Sequence, residues 1–213
     1  MELPVWLEWL TALTISYLLG SIPTGYLMGR FLKGIDIRQA GSGNLGATNV
    51  FRVLGKWPGT VTLIFDISKG FLSVAVLGSF CSDGSCSESL SRLFCGLGAI
   101  AGHNWTCFLR FRGGKGIATS AGVFLGLSPL VTLVLMAVWA LIAYLTKYVS
   151  AASVVASVFL PISLFLFNKP REWVIAGIVL TLVSVWKHRT NIRRLMDGTE
   201  PRMGEKVRET AKL

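Results

Sequence analysis

The block Ile117–Thr146 runs for 30 residues without a charged side chain, between Lys115 and Lys147. A helix of about 20 apolar residues crosses the hydrocarbon core of a bilayer. The block therefore restricts the chain to folds that live in a membrane. Soluble domains hold roughly a quarter of their residues as charges. Here the charged share is 15% and the hydrophobic share 52%, with a mean hydropathy of +0.60. The apolar residues come in long runs rather than in period-two or amphipathic patterns. The expectation is an all-α polytopic membrane protein, a single domain over 1–213 with a basic tail from about residue 187.

The other apolar segments are Val5–Met28, Gly59–Phe80, Leu93–Trp105, Val149–Phe167 and Trp173–Trp186. In the loop Arg30–Pro58, the cations Arg30, Lys33, Arg38, Arg52 and Lys56 oppose a single Asp36. Such an excess marks the cytoplasmic side. The loop ending at Lys115 and the tail with Lys187, Arg189, Arg193 and Arg194 carry the same mark. The loop Cys81–Arg92 sets Asp83 and Glu88 against Arg92, so it belongs outside. An even number of crossings must separate two inside loops, and the last two segments supply two. The block then contributes two crossings or none. Ser128-Pro129 offers a break, giving helices Ile117–Leu127 and Leu130–Thr146. The first rises only ~16 Å and needs protein neighbours around it. The sum is about seven transmembrane helices, some short, with the N-terminus outside and the C-terminus cytoplasmic. A re-entrant block with five crossings is the alternative.

The net charge of +10 raises nucleic acid as a partner. The cations lie in short loops and the tail, which is positive-inside patterning, so no nucleic acid is expected. Met1–Glu8 has no basic residue and no small-residue cleavage site follows. The first segment is therefore expected to be retained, its acidic start outward. Cys81, Cys86, Cys95 and Cys107 form no Cys-x-x-Cys pair, which argues against a zinc or redox site. Cys81 and Cys86 could bridge in an oxidising compartment, but free thiols are the simpler expectation.

Against this apolar background one stretch stands out: Gly41-Ser42-Gly43-Asn44-Leu45-Gly46-Ala47-Thr48-Asn49-Val50-Phe51-Arg52. Glycines let backbone N–H groups converge, Ser, Asn and Thr add hydrogen-bonding groups, and a guanidinium closes a cradle for a tetrahedral oxyanion. A flexible loop capping the next helix is the plainer reading. A second loop, Gly113-Gly114-Lys115-Gly116, directly precedes an apolar helix, where free N–H groups and the helix dipole attract anions. It is no Walker A motif, because Leu109 and Gly116 stand where Gly and Ser/Thr are required. The tail offers Lys187-His188-Arg189-Thr190-Asn191, with His188 and Asn191 on one helix face. Ser150 and Ser153 fall at the same end of their helix, where serines more often bond their own backbone. Asp66 and Lys69, three apart inside a span, read as a packing pair or as an orienter of a nearby cation. Gly20-Ser21-Ile22-Pro23-Thr24-Gly25 bends or ends the first helix. Both glycine loops and the tail share one side, which favours phosphate binding at a membrane surface.

The Gly20–Gly25 run, the Gly41–Asn49 stretch, Gly102-His103 with Gly113–Gly116, and Lys187-His188-Arg189 with Asn191 together resemble the motifs of bacterial acyl-phosphate:glycerol-3-phosphate acyltransferases, the PlsY family. The resemblance covers nearly the whole chain in order. It implies an enzyme of the bacterial inner membrane, with its active site facing the cytoplasm. Such an enzyme moves a fatty acyl group from acyl phosphate to the 1-hydroxyl of glycerol 3-phosphate, giving lysophosphatidic acid and phosphate. The partners implied are those two substrates and membrane lipid, with no metal or cofactor. Ser42, Arg52, Lys115 and His188 are the catalytic candidates; Gly43, Asn44, Thr48, Asn49, Gly113, Gly114, Ser153 and Asn191 are the substrate-binding ones. The expected division puts the acyl phosphate at Ser42 and its loop, and the glycerol 3-phosphate at Arg52, Lys115, His188 and Asn191. The leaving phosphate or His188 would take the hydroxyl proton; Ser42 as a covalent nucleophile lacks an adjacent base. Acyl-CoA or acyl-carrier-protein-dependent acyltransferases often show His followed five positions later by Asp, and here Phe108 follows His103. A phosphate-ester transporter would more often show repeated halves and a midplane site.

Overall fold

The computed structural model describes residues 4–79 and 88–205, so Cys81 and Cys86 lie outside the described residues. Ten α-helices form among these: α1 Val5–Ser21, α2 Thr24–Lys33, α3 Ala47–Leu54, α4 Lys56–Ala75, α5 Glu88–Asn104, α6 Ile117–Leu127, α7 Pro129–Thr146, α8 Val149–Leu166, α9 Arg171–Lys187 and α10 Arg189–Met196. By length and composition alone, Lys56–Ser79, Pro129–Thr146 and Val149–Leu166 suffice to cross a membrane. Large apolar side chains face outward along the bundle, among them Phe65, Leu133, Phe165 and Leu182.

Close packing follows from small residues. A Cβ on Gly20 would overlap the Ala99 backbone, and one on Gly102 would overlap Tyr17 O, so α1 and α5 lie side by side and parallel. Gly70 faces Thr119 O and Gly122 faces Ile67 O, joining α4 to α6 in the same way. The main core sits between these pairs and the last helices, around Val74, Ile100, Phe124, Leu164 and Trp173. Helices α8 and α9 pack antiparallel. Pro161 inside α8 has no N–H for the Ser157 carbonyl, and Thr181 Oγ1 on α9 donates to that carbonyl instead at 2.6 Å.

The break expected at Ser128-Pro129 is present: α6 ends at Leu127, and Pro129 opens α7, where its missing N–H costs nothing. Three boundaries differ from the sequence reading. Of the two outcomes expected at Pro23, bending or ending the first helix, the structure shows the second, with α1 and α2 as separate helices and the single segment Val5–Met28 divided. α4 starts at Lys56, before Pro58, because proline is tolerated in a first helical turn. α5 starts at Glu88, where an Arg92–Glu88 ion pair of 2.6 Å braces a polar first turn.

The parallel and antiparallel packing brings one set of ends together. The end of α1, the starts of α4, α6 and α8, and the ends of α5, α7 and α9 share one end of the bundle. The loop before α3, the loop before α6 and the tail meet there. Met203 N donates to Lys147 O at 2.7 Å, so the tail returns to the α7–α8 turn.

Candidate active site

The first glycine loop is built around Asn49. Its Oδ1 accepts Ser42 N–H at 2.8 Å. Its Nδ2 donates to the carbonyls of Ile37 (3.3 Å), Ala40 (3.0 Å) and Asn44 (2.9 Å). Gly41 takes a positive φ of 61°, and a Cβ there would collide with that same Oδ1. Asn44 Oδ1 accepts Gly46 N–H at 2.9 Å. The amide of Asn49 is thus fully engaged and buried, which corrects its expected role: it shapes the loop from below instead of reaching a ligand. Ser42 and Gly43 are exposed on the loop, Thr48 is exposed in the first turn of α3, and Asn44 is half-buried. Thr48 and Arg52 lie one turn apart on α3, on one face.

The second loop is held from outside. Gly114 N–H donates to His103 O at 2.9 Å, so this amide is not available to a ligand, a second correction. Lys187 Nζ donates to Asn104 O at 2.6 Å and lies over the Trp105 ring, tying the end of α9 to the end of α5. Gly116 caps α6 at φ 80°. The first α6 amide that closes into the helix is Ser120 N, to Gly116 O. The amides of Ile117 to Thr119 therefore lack helical acceptors. Gly43 and Gly113 line one shared cavity of about 650 Å³ with Arg110 and Arg112.

Beside that helix start, Lys115 Nζ donates to Asn191 Oδ1. Asn191 Nδ2 donates to Glu200 Oε1 at 2.6 Å, as does Ser150 Oγ at 2.7 Å. Arg194 Nε bonds Glu200 Oε2 at 2.7 Å. Burial pushes the Lys115 ammonium down to about 8, opposed by Glu200 and assisted by Arg194 and Arg52. Burial works against the Glu200 carboxylate, yet hydrogen bonds from Asn191, Ser150 and Arg194 keep its pKa below the ordinary value. Arg52 feels the charges of Glu200, Arg194 and Glu205. Arg52, Lys115 and Arg194 face the one buried carboxylate of Glu200, an excess of positive charge that suits a phosphate monoester carrying about −2.

His188 is buried at the α9–α10 junction, its Nδ1 2.8 Å from Ser184 O. A carbonyl only accepts, so Nδ1 carries the proton and Nε2 keeps its lone pair. Burial first, and then the charge of Lys115, push the ring down to about 4 and keep it neutral.

The structure gathers Arg52, Lys115, His188 and Asn191 as anticipated. It does not bring Ser153 to them. Ser153 Oγ donates to Val149 O at 2.8 Å and accepts Trp139 Nε1 at 3.2 Å, so it joins α8 to α7. Ser150, one turn nearer the tail, takes that place. Glu200 was not anticipated, since an acid in a basic tail reads as a solvated charge. His103 was seen only as part of a motif, although a histidine in an apolar segment is a signal in itself.

The family of glycerol-3-phosphate acyltransferases matches residues 10–198. A glycerol-3-phosphate acyltransferase of Synechococcus sp. (strain CC9902) is 44% identical over 197 residues, 92% of this chain and 96% of the relative. One of Gloeobacter violaceus is 44% identical over 202 residues, 93% and 98% of the two chains. Among solved structures, the glycerol 3-phosphate form of PlsY, an integral membrane glycerol 3-phosphate acyltransferase, is 39% identical. It aligns with a TM-score of 0.85 over 92% of this chain and 96% of its own. The lysophosphatidic acid form of PlsY aligns at 0.82 over 92% and 95%.

Proposed function

The chain belongs to the glycerol-3-phosphate acyltransferase family, and from that premise we propose that it transfers a fatty acyl group from acyl phosphate to the 1-hydroxyl of glycerol 3-phosphate. The observation that carries this reading is the group of Arg52, Lys115 and Arg194 around Glu200 at the start of α6, with its surplus of positive charge. That surplus suits the dianionic phosphate of glycerol 3-phosphate, with Asn191 holding Lys115 in place and the His188 Nε2 lone pair left to accept from a glycerol hydroxyl. The first loop, with Ser42, Gly43, Asn44 and Thr48 above the Asn49 bracket, suits the phosphate of the donor; Gly113, on the rim shared by the two loops, serves either. Two phosphorylated substrates held side by side turn a bimolecular encounter into a local one.

In the reaction the hydroxyl oxygen attacks the acyl carbonyl carbon. The bond from that carbon to the phosphate oxygen breaks. The hydroxyl proton passes to the departing phosphate, and the products are lysophosphatidic acid and inorganic phosphate. An acyl phosphate is a mixed anhydride, so charge stabilisation and alignment suffice. His188 serves as a neutral orienting group through Nε2, because a ring held near 4 is a weak base.

The same reading gives seven crossings, α1 and α4 to α9, with the N-terminus outside and the basic end in the cytoplasm of a bacterial inner membrane. It rests on the cations gathered at one end of the bundle. The test is a donor comparison with purified protein in lipid. Glycerol 3-phosphate is supplied with acyl phosphate, acyl-CoA or acyl carrier protein, and lysophosphatidic acid and phosphate are followed. Product from acyl phosphate alone is expected; product from a thioester overturns the proposed donor.

A further inference from the structure

Beneath the second loop lies a buried cluster that the proposed chemistry does not use. Asp66 and Lys69 on α4 and His103 on α5 are 2%, 5% and 8% exposed. Lys69 Nζ is 2.8 Å from Asp66 Oδ1, and the same oxygen is 3.5 Å from His103 Nδ1. Lys69 also donates to Ile22 O at 3.2 Å, at the break that Pro23 makes between α1 and α2. Ionisable groups at membrane depth are costly. Removing one member of a buried pair leaves the other uncompensated, so the cluster holds its three side chains in one arrangement.

The second loop rests on that arrangement. His103 O accepts the Gly114 amide at 2.9 Å. A Cβ on Gly113 would overlap that carbonyl, and a Cβ on Gly114 would overlap His103 Nε2. The imidazole is therefore the floor directly under Gly114, one residue before Lys115. Asp66 fixes the ring from the side opposite the loop, and Lys69 fixes Asp66 against the α1–α2 break. Asn104, the next residue, lies against Gly116, 2.8 Å from where its Cβ would be. The second loop thus has both ends seated on the last turn of α5.

We propose that Asp66, Lys69 and His103 form a positioning unit that sets the height of the Gly113–Gly116 loop and so the placement of the Lys115 ammonium. The inference rests on the reading that this loop grips the phosphate of glycerol 3-phosphate. The unit touches no substrate; it acts through the loop.

The test is a double-mutant cycle of His103→Ala and Gly114→Ala, in purified protein in lipid, with the KM of each substrate, kcat and the thermal midpoint measured. A methyl on Gly114 cannot fit over the imidazole but fits where the ring has been removed. Gly114→Ala alone is expected to raise the glycerol 3-phosphate KM about tenfold. Added to His103→Ala, it should change that KM by less than about twofold, a clear departure from additivity. The donor KM stays the same throughout. Asp66→Asn, of equal size, should raise the glycerol 3-phosphate KM alone. Additive effects across the cycle, or changes confined to the thermal midpoint, overturn the inference. Should His103→Ala fail to accumulate, His103→Asn, which keeps a donor towards Asp66, carries the same cycle and the same criteria. Lys115→Met separates the two claims. If it leaves the glycerol 3-phosphate KM unchanged, the reading of the loop fails. If it raises that KM while the cycle is additive, the positioning unit alone fails.

Discussion

The two glycine loops face the same end of the bundle but are held in opposite ways. The first is braced from within: every hydrogen bond of the Asn49 side chain reaches a partner no more than 12 residues away. The second has a local brace, Gly114 N–H to His103 O, and is otherwise held from without. Its lysine meets Asn191, 76 residues later, and Lys187 reaches back 83 residues to the carbonyl just before it. A loop of the first kind can take shape as soon as its own stretch is made. One of the second kind places its lysine only when distant helices have packed. The contrast suits two tasks: a self-contained cradle on one hand, and on the other a cation whose position is set by the whole bundle.

Four measurements press on that contrast. The largest effect belongs to Lys115→Met, which leaves the local fold of the second loop but removes its charge. It should lower kcat/KM for glycerol 3-phosphate at least about 100-fold, with little change in the donor KM. Equal effects on both substrates would mean that the loops do not divide the work. Next comes Asn49→Ala, which strips one acceptor and three donated bonds from the first loop. Each buried partner left unsatisfied costs about 1–3 kcal/mol. Local collapse should raise the donor KM about tenfold or more while the glycerol 3-phosphate KM stays near normal. A purely global loss of stability would erase the distinction. The third is pH. Lys115 lies near 8 in the empty site. Its charge is present below that value and is lost as pH rises through it. Between pH 7.5 and 9 the glycerol 3-phosphate KM should rise about eightfold, and this slope should survive in Asn49→Ala but vanish in Lys115→Met. The smallest is Ser153→Ala. It leaves Trp139 Nε1 without its acceptor at a cost of about 1 kcal/mol in stability. Both KM values should hold within about twofold; a larger shift would return Ser153 to the site.

How much of this was readable beforehand follows the same division. The break at Ser128-Pro129 and the short α6 could be located because proline and an even count of crossings are local or topological facts. Charge lying on one side brought the two loops and the tail to one end, while the grouping of Arg52, Lys115, His188 and Asn191 came from the family resemblance. The role of Asn49 could not be read, because an Asn in a Gly-rich stretch looks the same whether its amide faces a ligand or its own backbone. Ser150 and Ser153, one turn apart, could not be separated either, since the Trp139 indole that engages Ser153 comes from another helix. Glu200 was the least legible, because its meaning depends on three partners at sequence distances from 6 to 50.

The return of the tail has a consequence for how the protein comes into being. Residues 188–203 are translated after all the helices they fasten, yet they supply His188, Asn191, Arg194 and Glu200 and close over Lys147. While the chain is still threading into the bilayer, Lys115 has neither Asn191 nor the field of Glu200. A nascent chain stopped after α9 would carry the first loop and Lys115 without the hydrogen-bonded set around Glu200. Under the proposed function the phosphate grip would therefore be complete only once the short helix α10 has docked on the bundle.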